Sequence, residues 1–428
     1  MKILLTGATG FIGSRLLFAL RSRGHDVIGV ARRAPAAGGE RWIAVDFATA
    51  RTADWLPHLA GVDAVVNAVG IFRETPGQTF EQLHVEGPRA LFEACVASGV
   101  PRAVQLSALG ADEGAETAYH RSKKAADDAL LALPLQAAVA QPSLVFGGHG
   151  ESARVFLGWA SLPLLPLPLH GEQPLQPIHL DDAVQALVAL VEDMPVACLG
   201  RRVALVGPRP LTLVAYLQAL RRALGLARAR TIALPRWSMD MAARIGDRWR
   251  GSLFDSASWR MLQRGNVAPP ADIASLLGRP PRDVLRFIEP VDAPLLLARA
   301  RLGWLLPVLR VSVALVWIVT GVVSLGLYPP ALSFELLARS GVPEALRPAA
   351  LYGAAALDLA LGVMSLLPRF RRAWLWGAQA VLIVVYTVII TVKLPEFWLH
   401  PYGPVLKNLP MLAALLLLAM LEPAEPRR

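Results

Sequence analysis

The chain has 428 residues, a formal net charge of +10 and 54% hydrophobic residues. That length exceeds one ordinary core, and an apolar excess gathered after about residue 300 is the pattern of a soluble domain fused to membrane segments. Two cysteines, Cys95 and Cys198, exclude a disulfide framework and show no metal-ligand spacing, and no basic run is interleaved with aromatics as nucleic-acid binding would require.

The chain opens MKILLTGATGFIGSRLLFALRSRGH. Ile3-Leu4-Leu5 reads as a parallel strand buried on both faces. Gly7, Gly10 and Gly13 follow in G-x-x-G-x-x-G spacing. Ile12, Leu16, Leu17 and Leu20 then mark one face of a helix that Gly24 ends. Strand, glycine turn and helix N-terminus form the context of a dinucleotide fingerprint, in which backbone N–H groups and the positive helix end hold a pyrophosphate. A strand in place of a charged and apolar leader is no signal peptide, which leads us to expect this domain in the cytoplasm.

Further apolar runs at 27–30, 43–45, 64–66, 103–106 and within 138–146 alternate with helical patterns such as 80–98 and 119–133. Alternating strands and helices imply an α/β fold, a Rossmann doubly wound parallel sheet with right-handed crossovers and its ligand beyond the carboxyl ends of the strands. After the second strand stand Arg32 and Arg33 with no acidic residue, a pairing suited to a 2′-phosphate, so NADP(H) is preferred over NAD(H). Asp46 ends the third strand, where it would accept from an adenine amino group or form an Asx turn. The fourth ends Asn67-Ala68-Val69-Gly70, a turn that passes close to the cofactor.

The fifth strand ends at Ser107, and Tyr119 and Lys123 follow at i and i+4 on one helix face. A lysine ammonium there would depress the phenol pKa. Tyr119 would then move a proton at a substrate carbonyl or hydroxyl, with Ser107 bonded to the same oxygen and Lys123 also holding the ribose.

These pieces, TGATGFIG, NAVG, QLSALGA, YHRSK, QPSLVFG and PIHLDD, resemble the short-chain dehydrogenase/reductase superfamily over residues 1 to about 290. More narrowly they resemble its atypical, epimerase/dehydratase-like branch, which includes a nucleotide-binding accessory subunit of respiratory complex I. The resemblance implies that Gly7, Ala8, Thr9, Gly10, Phe11, Ile12 and Gly13 bind NAD(P), that Ser107, Tyr119 and Lys123 carry hydride-linked chemistry, and that Asn67 lies near the nicotinamide end. Several members of that branch bind the nucleotide without known turnover.

Residues 147–179, rich in Pro and Leu, would cover the substrate pocket, and their aliphatic character suggests an apolar substrate unless they form an ordinary packed loop. Asp181 is the expected N-cap of a helix over 183–192, His179 reads as a structural histidine, and Thr212 caps a helix that Gly225 ends. Trp237, Met241, Ile245 and Trp249 form a stripe at helical spacing flanked by Arg236, Arg244, Arg248 and Arg250. Such a stripe more often packs on its own domain; the alternative is a helix in the headgroup region of a membrane. Residues 278–300 read as a closing helix and linker, which sets the domains at 1–298 and 299–428.

Four apolar segments, near 305–327, 349–367, 373–393 and 405–421, approach the ~20 residues of a transmembrane helix. Arg299, Arg301, Arg369, Arg371, Arg372, Arg427 and Arg428 bracket one side, which places both termini in the cytoplasm of a multi-pass inner-membrane protein. Asp358 and Arg310 fall within spans, where charges face a partner or cavity, and a pair between them is one expectation. RVSVALVWIVTG, ALDLALG and HPYGPVLKNLP resemble the DoxX-like four-helix membrane proteins, and place His400, Lys407 and Asn408 at the outer rim.

The expected function is a membrane-tethered NAD(P)-dependent oxidoreductase or epimerase acting on an apolar, lipid- or quinone-like substrate, with the bilayer as partner, no metal and no nucleic acid. The alternative is a non-catalytic nucleotide-binding subunit or sensor of a membrane complex.

Overall fold

A computed structural model describes residues 1–33, 41–248, 254–401 and 403–422. The chain forms two compact units, Met1–Ala300 and Arg301–Arg428. Trp249, Arg250, Arg427 and Arg428 lie outside the described residues.

The apolar runs of the first unit become β1 (Lys2–Thr6), β2 (Asp26–Ala31), β3 (Trp42–Ala44), β4 (Ala64–Asn67), β5 (Arg102–Leu106) and β6 (Gln136–Pro142). A further strand, β7 (Arg201–Leu205), is not among the runs read from the sequence: it opens on two arginines, and within it only Val203 and Leu205 are buried. The order is β7-β6-β5-β4-β1-β2-β3, and every pairing is parallel. The chain winds outward from β1 to β3, then restarts at β4 on the other side of β1. That reversal is the switch point at which doubly wound sheets bind their ligands.

Successive β1 side chains face opposite sides. Ile3 and Leu5 pack with Leu16 and Leu20 of α1 (Phe11–Ser22), while Leu4 packs with Leu91 and Phe92 of α2 (Gly87–Ala97) and with Trp55. The predicted helix over 80–98 begins instead as a π-helical segment, Glu81–Glu86, before α2. Pro88 lacks the N–H that would continue an α-helical ladder into that turn, and such wide turns re-aim a side chain, here His84. α3 (Ala118–Leu131) carries Tyr119 and Lys123, and Thr117 caps it by accepting from the His120 N–H.

Residues 147–179 are more regular than a covering loop. They contain α4 (Glu151–Ala160) and a strand, Leu164–Pro168, which pairs with Arg230–Leu234. Leu157, Leu165, Leu167 and Leu175 are buried in a small separate core with Leu213, Tyr216 and Leu217. Their aliphatic character is spent on packing and says nothing about the substrate. α5 (Leu180–Glu192) starts earlier than expected, with His179 as its cap: its Nδ1 accepts from the Asp181 N–H at 3.2 Å. The carboxylates of Asp181 and Asp182 are turned to Arg282 and Arg279 instead. Thr212 caps α6 (Leu213–Ala223) as read from the sequence.

The stripe on α7 (Arg236–Arg248) does not pack inward. Met239, Ala243 and Gly246 are its buried residues, set against Trp259 of α8 (Ser256–Arg264), and Trp237, Met241 and Ile245 are exposed. One helical turn offers two faces, and the smaller residues took the inner one.

The second unit is helical. Among the described residues three helices are long and apolar enough to cross a membrane: Ala293–Leu327, Glu344–Leu366 and Ala373–Lys393. The first already begins within the stretch read as a linker, and Pro330–Arg339 forms an additional helix between the first two. The fourth expected span is only Asn408–Leu421, 14 residues. At 1.5 Å per residue it measures about 21 Å, short of a ~30 Å hydrocarbon core. Gly403, at φ +53°, and Pro404 lead into a turn over 404–407, which takes these residues out of the helix. Arg310 pairs with Glu422, not with Asp358, which is buried with one carboxylate oxygen unpartnered among the described residues. The indole of Trp317 donates to Gln379, whose amide donates to Ser365, a buried polar chain between helices.

Candidate active site

The glycine loop joins β1 to α1. Gly7 has φ +68°, and a Cβ there would lie 2.5 Å from the Ala68 carbonyl. A Cβ on Gly13 would lie 2.1 Å from the Gly7 oxygen, so α1 can reach the loop only through a glycine. Gly10 caps α1 without any side-chain hydrogen bond, and no acidic residue occupies the first turn. Thr9, Gly10 and Phe11 are exposed, Ile12 half-buried and Ala8 buried beneath them. Uncapped amides at a positive helix end, with no carboxylate to repel an anion, fit a pyrophosphate.

The ends of the central strands are tied together. The Thr6 hydroxyl donates to Asn67 Oδ1 at 2.6 Å, and Asn67 Nδ2 donates to Gln105 Oε1 at 2.8 Å. Thr6 and Asn67 are register partners, as are Asn67 and Gln105. Asn67 is fully buried, and its Oδ1 also accepts from the Val69 N–H at 3.1 Å. Its side chain therefore shapes the turn and offers nothing outward to a nicotinamide. Asp46 accepts from the Ala48 N–H at 3.1 Å, the Asx-turn alternative, and is exposed. Arg32 and Arg33 are exposed just past β2.

Tyr119 is half-buried among rings, with centroids 5.1 Å from Phe72, 6.0 Å from Phe80 and 5.7 Å from His84. Lys123, one turn on, is buried and donates to the carbonyls of Leu106 at 3.1 Å, the last residue of β5, and Val69 at 3.3 Å, just past β4. Gly70 leaves the room: a Cβ there would meet Lys123 Nζ at 2.9 Å. Ser107 donates its hydroxyl to Asp127 at 2.6 Å. Asp127 is fully buried, accepts also from Gln141 at 3.2 Å, and lies 3.7 Å from Arg202.

Asp127 and His84 were not read from the sequence. Asp127 carried a signal, since Tyr119, Lys123 and Asp127 stand at i, i+4 and i+8, one helix face. His84 carried none, because a π-turn sets its direction. Its Nε2 accepts from the Ile71 N–H at 3.0 Å, which leaves the proton on Nδ1, 2.9 Å from the Ser122 oxygen; Ser122 in turn donates to the Tyr119 carbonyl. Burial, then the Lys123 charge, hold His84 down at about 2, neutral throughout the working range.

Burial pushes the Lys123 ammonium down and the Asp127 carboxyl up, each partly restored by the other. The phenol of Tyr119 is not depressed. Burial, then the negative charge of Asp127, push it up to about 12. Desolvation outweighs the nearby ammonium, so at neutral pH Tyr119 is a proton donor and not a phenolate. Asp127→Asn keeps an oxygen for the Ser107 hydroxyl but removes the charge, and is expected to lower the phenol pKa part of the way, burial holding the rest. An NMR pH titration of labelled tyrosine, assigned with Tyr119→Phe, reads this; an unmoved pKa would leave burial as the whole cause.

A profile of the NAD dependent epimerase/dehydratase family matches residues 3–197, and a DoxX-like family profile matches residues 314–416. The chain is 32% identical over 193 residues to a ceramide reductase of Caulobacter vibrioides, covering 44% of this chain and 60% of that one. It is 31% identical over 234 residues to a 3-diazoavenalumate denitrifying reductase of a Streptomyces species, covering 46% and 75%. Similarity also extends to an Arabidopsis thaliana NADH dehydrogenase alpha subcomplex subunit 9, at 28% over 221 residues, 48% of this chain and 54% of that one. Among solved structures, MoeE5 in complex with UDP-glucose and NAD aligns at TM-score 0.51 and 21% identity over 71% of this chain and 99% of its own. The NADPH-dependent quinone oxidoreductase QOR2 of Escherichia coli aligns at 0.53 and 16% over 66% and 97%, a likeness of fold. The N-terminal unit thus belongs to the NAD dependent epimerase/dehydratase family, NAD(P)-binding enzymes of Rossmann fold, joined in this chain to a DoxX-like domain.

Proposed function

We propose that the protein is a membrane-tethered NADP(H)-dependent reductase of an apolar carbonyl compound. The observation that carries this reading is the pair on α3: a lysine buried against main-chain carbonyls of two strand ends, and one turn away a tyrosine held in its protonated form. The nucleotide would rest its pyrophosphate on residues 7–13 and supply the hydride when bound. Tyr119 gives its phenolic proton to the substrate oxygen, and Lys123 stabilises the charge left on the phenolate. Because Ser107 spends its proton on Asp127, its oxygen receives the product hydroxyl and does not donate to the carbonyl.

The apolar character of the substrate rests on Phe72 and Phe80 beside Tyr119, on a tail built to span a bilayer, and on the ceramide reductase among the relatives. The arginines bracketing the helices favour a nucleotide unit and termini on the cytoplasmic side. NADPH consumption by the full chain in nanodiscs, offered long-chain and short water-soluble carbonyl compounds in parallel, tests the reading. Turnover confined to long-chain compounds is expected. A nucleotide that binds and is never consumed would favour a non-catalytic subunit, the role to which the similarity with NADH dehydrogenase subunit 9 points.

The preference for NADP(H) rests on Arg32 and Arg33. Replacing both by alanine is expected to weaken NADPH about tenfold, the worth of one charge-assisted contact, and to leave NADH unchanged. Equal losses for both nucleotides in a fluorescence titration would count against a 2′-phosphate site.

A further inference from the structure

Helix α7 turns its most water-averse side chains outward. Trp237, Met241 and Ile245 recur every fourth residue and are 66%, 52% and 53% exposed. At 100° per residue Arg244 and Arg248 fall on the same outward face, while Arg236 lies off it, 3.9 Å from Asp240. The inward face is complete without them, since Met239 and Ala243 pack on Trp259. The two acidic residues of the helix are engaged by α8: Asp240 accepts from the Trp259 indole at 2.7 Å, and Asp247 accepts from the Ser256 N–H and hydroxyl at 2.9 and 2.6 Å. What remains outward is tryptophan, methionine, isoleucine and arginine, apolar bulk with cationic heads.

We propose that α7 is an interfacial helix that lies in the headgroup region of a bilayer containing anionic phospholipid. Trp237, Met241 and Ile245 enter the apolar side, and Arg244 and Arg248 pair with lipid phosphates. The charge on this face complements such a surface, and the composition is that of an interfacial element more than of a protein–protein patch, which carries fewer cations beside its apolar centre. A bilayer is also always at hand, because membrane-capable helices begin in the same chain at Ala293. The inference goes beyond the catalytic reading and does not depend on it; it rests on insertion of the C-terminal helices. Held in this way, the nucleotide unit would be oriented on the membrane as well as tethered to it.

The test uses the full chain reconstituted in phosphatidylglycerol-containing or pure phosphatidylcholine vesicles. An environment-sensitive fluorophore is placed at Met241→Cys, at exposed Glu113→Cys, or at Val384→Cys within a span; native Cys95 and Cys198 are buried, and the parent chain serves as blank. Spin-labelled lipid is expected to quench the Met241 site about threefold more than the Glu113 site in phosphatidylglycerol vesicles. Arg244→Glu with Arg248→Glu should return it to the Glu113 level, and high salt should act in the same direction. Iodide quenching at position 241 equal to that at 113, with none from spin-labelled lipid, overturns the proposal. Shielding from both quenchers overturns it too, because a protein then covers the helix. An unquenched Val384 site means the spans are not inserted, and the proposal falls with its premise.

Discussion

Tyr119→Phe is expected to lower kcat for NADPH-dependent reduction by about 10²–10⁴-fold while nucleotide affinity stays within about twofold. The phenyl ring preserves the contacts with Phe72, Phe80 and His84, so the environment of Lys123 is kept and only the proton donor is removed. Because the phenol is held near 12, the wild-type reduction rate should remain flat through neutral pH on the tyrosine's account, and fall only in strongly alkaline solution as the donor ionises. A reduction rate that instead falls with pH through the neutral range would mean a phenol that ionises there, with the lysine and not burial in control. Stopped-flow absorbance at the nicotinamide band follows both the rate and its pH profile.

Gly13→Ala is expected to remove nucleotide binding and to destabilise the first unit by about 1–3 kcal/mol. The new methyl would sit 2.1 Å from one backbone atom of Gly7 and 2.8 Å from another, and neither is a flexible side-chain end that can swing away. Either α1 lifts from the loop or the loop opens, and each route disperses the amides that would face a pyrophosphate. Gly10→Ala is the contrasting case. Its methyl meets only the Gly7 oxygen, at 3.1 Å, and otherwise faces open space. The fold should tolerate it, and the loss should fall on the ligand that occupies that space. Thermal melting and a nucleotide titration on the two variants separate a structural glycine from a binding one.

What could be read from the sequence was local. Gly7, Gly10 and Gly13 lie within one turn of chain, and Tyr119 and Lys123 within one turn of helix, so spacing alone carries their geometry. The groups that tune them come from afar. Asn67 is tied to Thr6 across 61 residues and to Gln105 across 38, and only the register of parallel strands brings the three level. The rise of the Tyr119 pKa depends on burial among rings from Phe72 to His84, and a sequence shows a neighbouring lysine more readily than it shows desolvation. The stretch after Gly147 suggested a substrate lining by its aliphatic character; its leucines serve a second core with Leu213, Tyr216 and Leu217. The α7 stripe was legible as a stripe, but which face turns inward was settled by Trp259, eleven residues beyond Arg248.

The most direct measurement of the central claim, that residues 7–13 grip a pyridine nucleotide, is an NADPH titration of the full-length wild type and Gly10→Ala by energy transfer from tryptophan. Saturable binding to the wild type is predicted, weakened about a hundredfold in Gly10→Ala at an unchanged melting temperature, the cost of ~2.7 kcal/mol at the phosphate contacts. Absence of binding to the wild type, or equal affinity in the two proteins, would contradict the account.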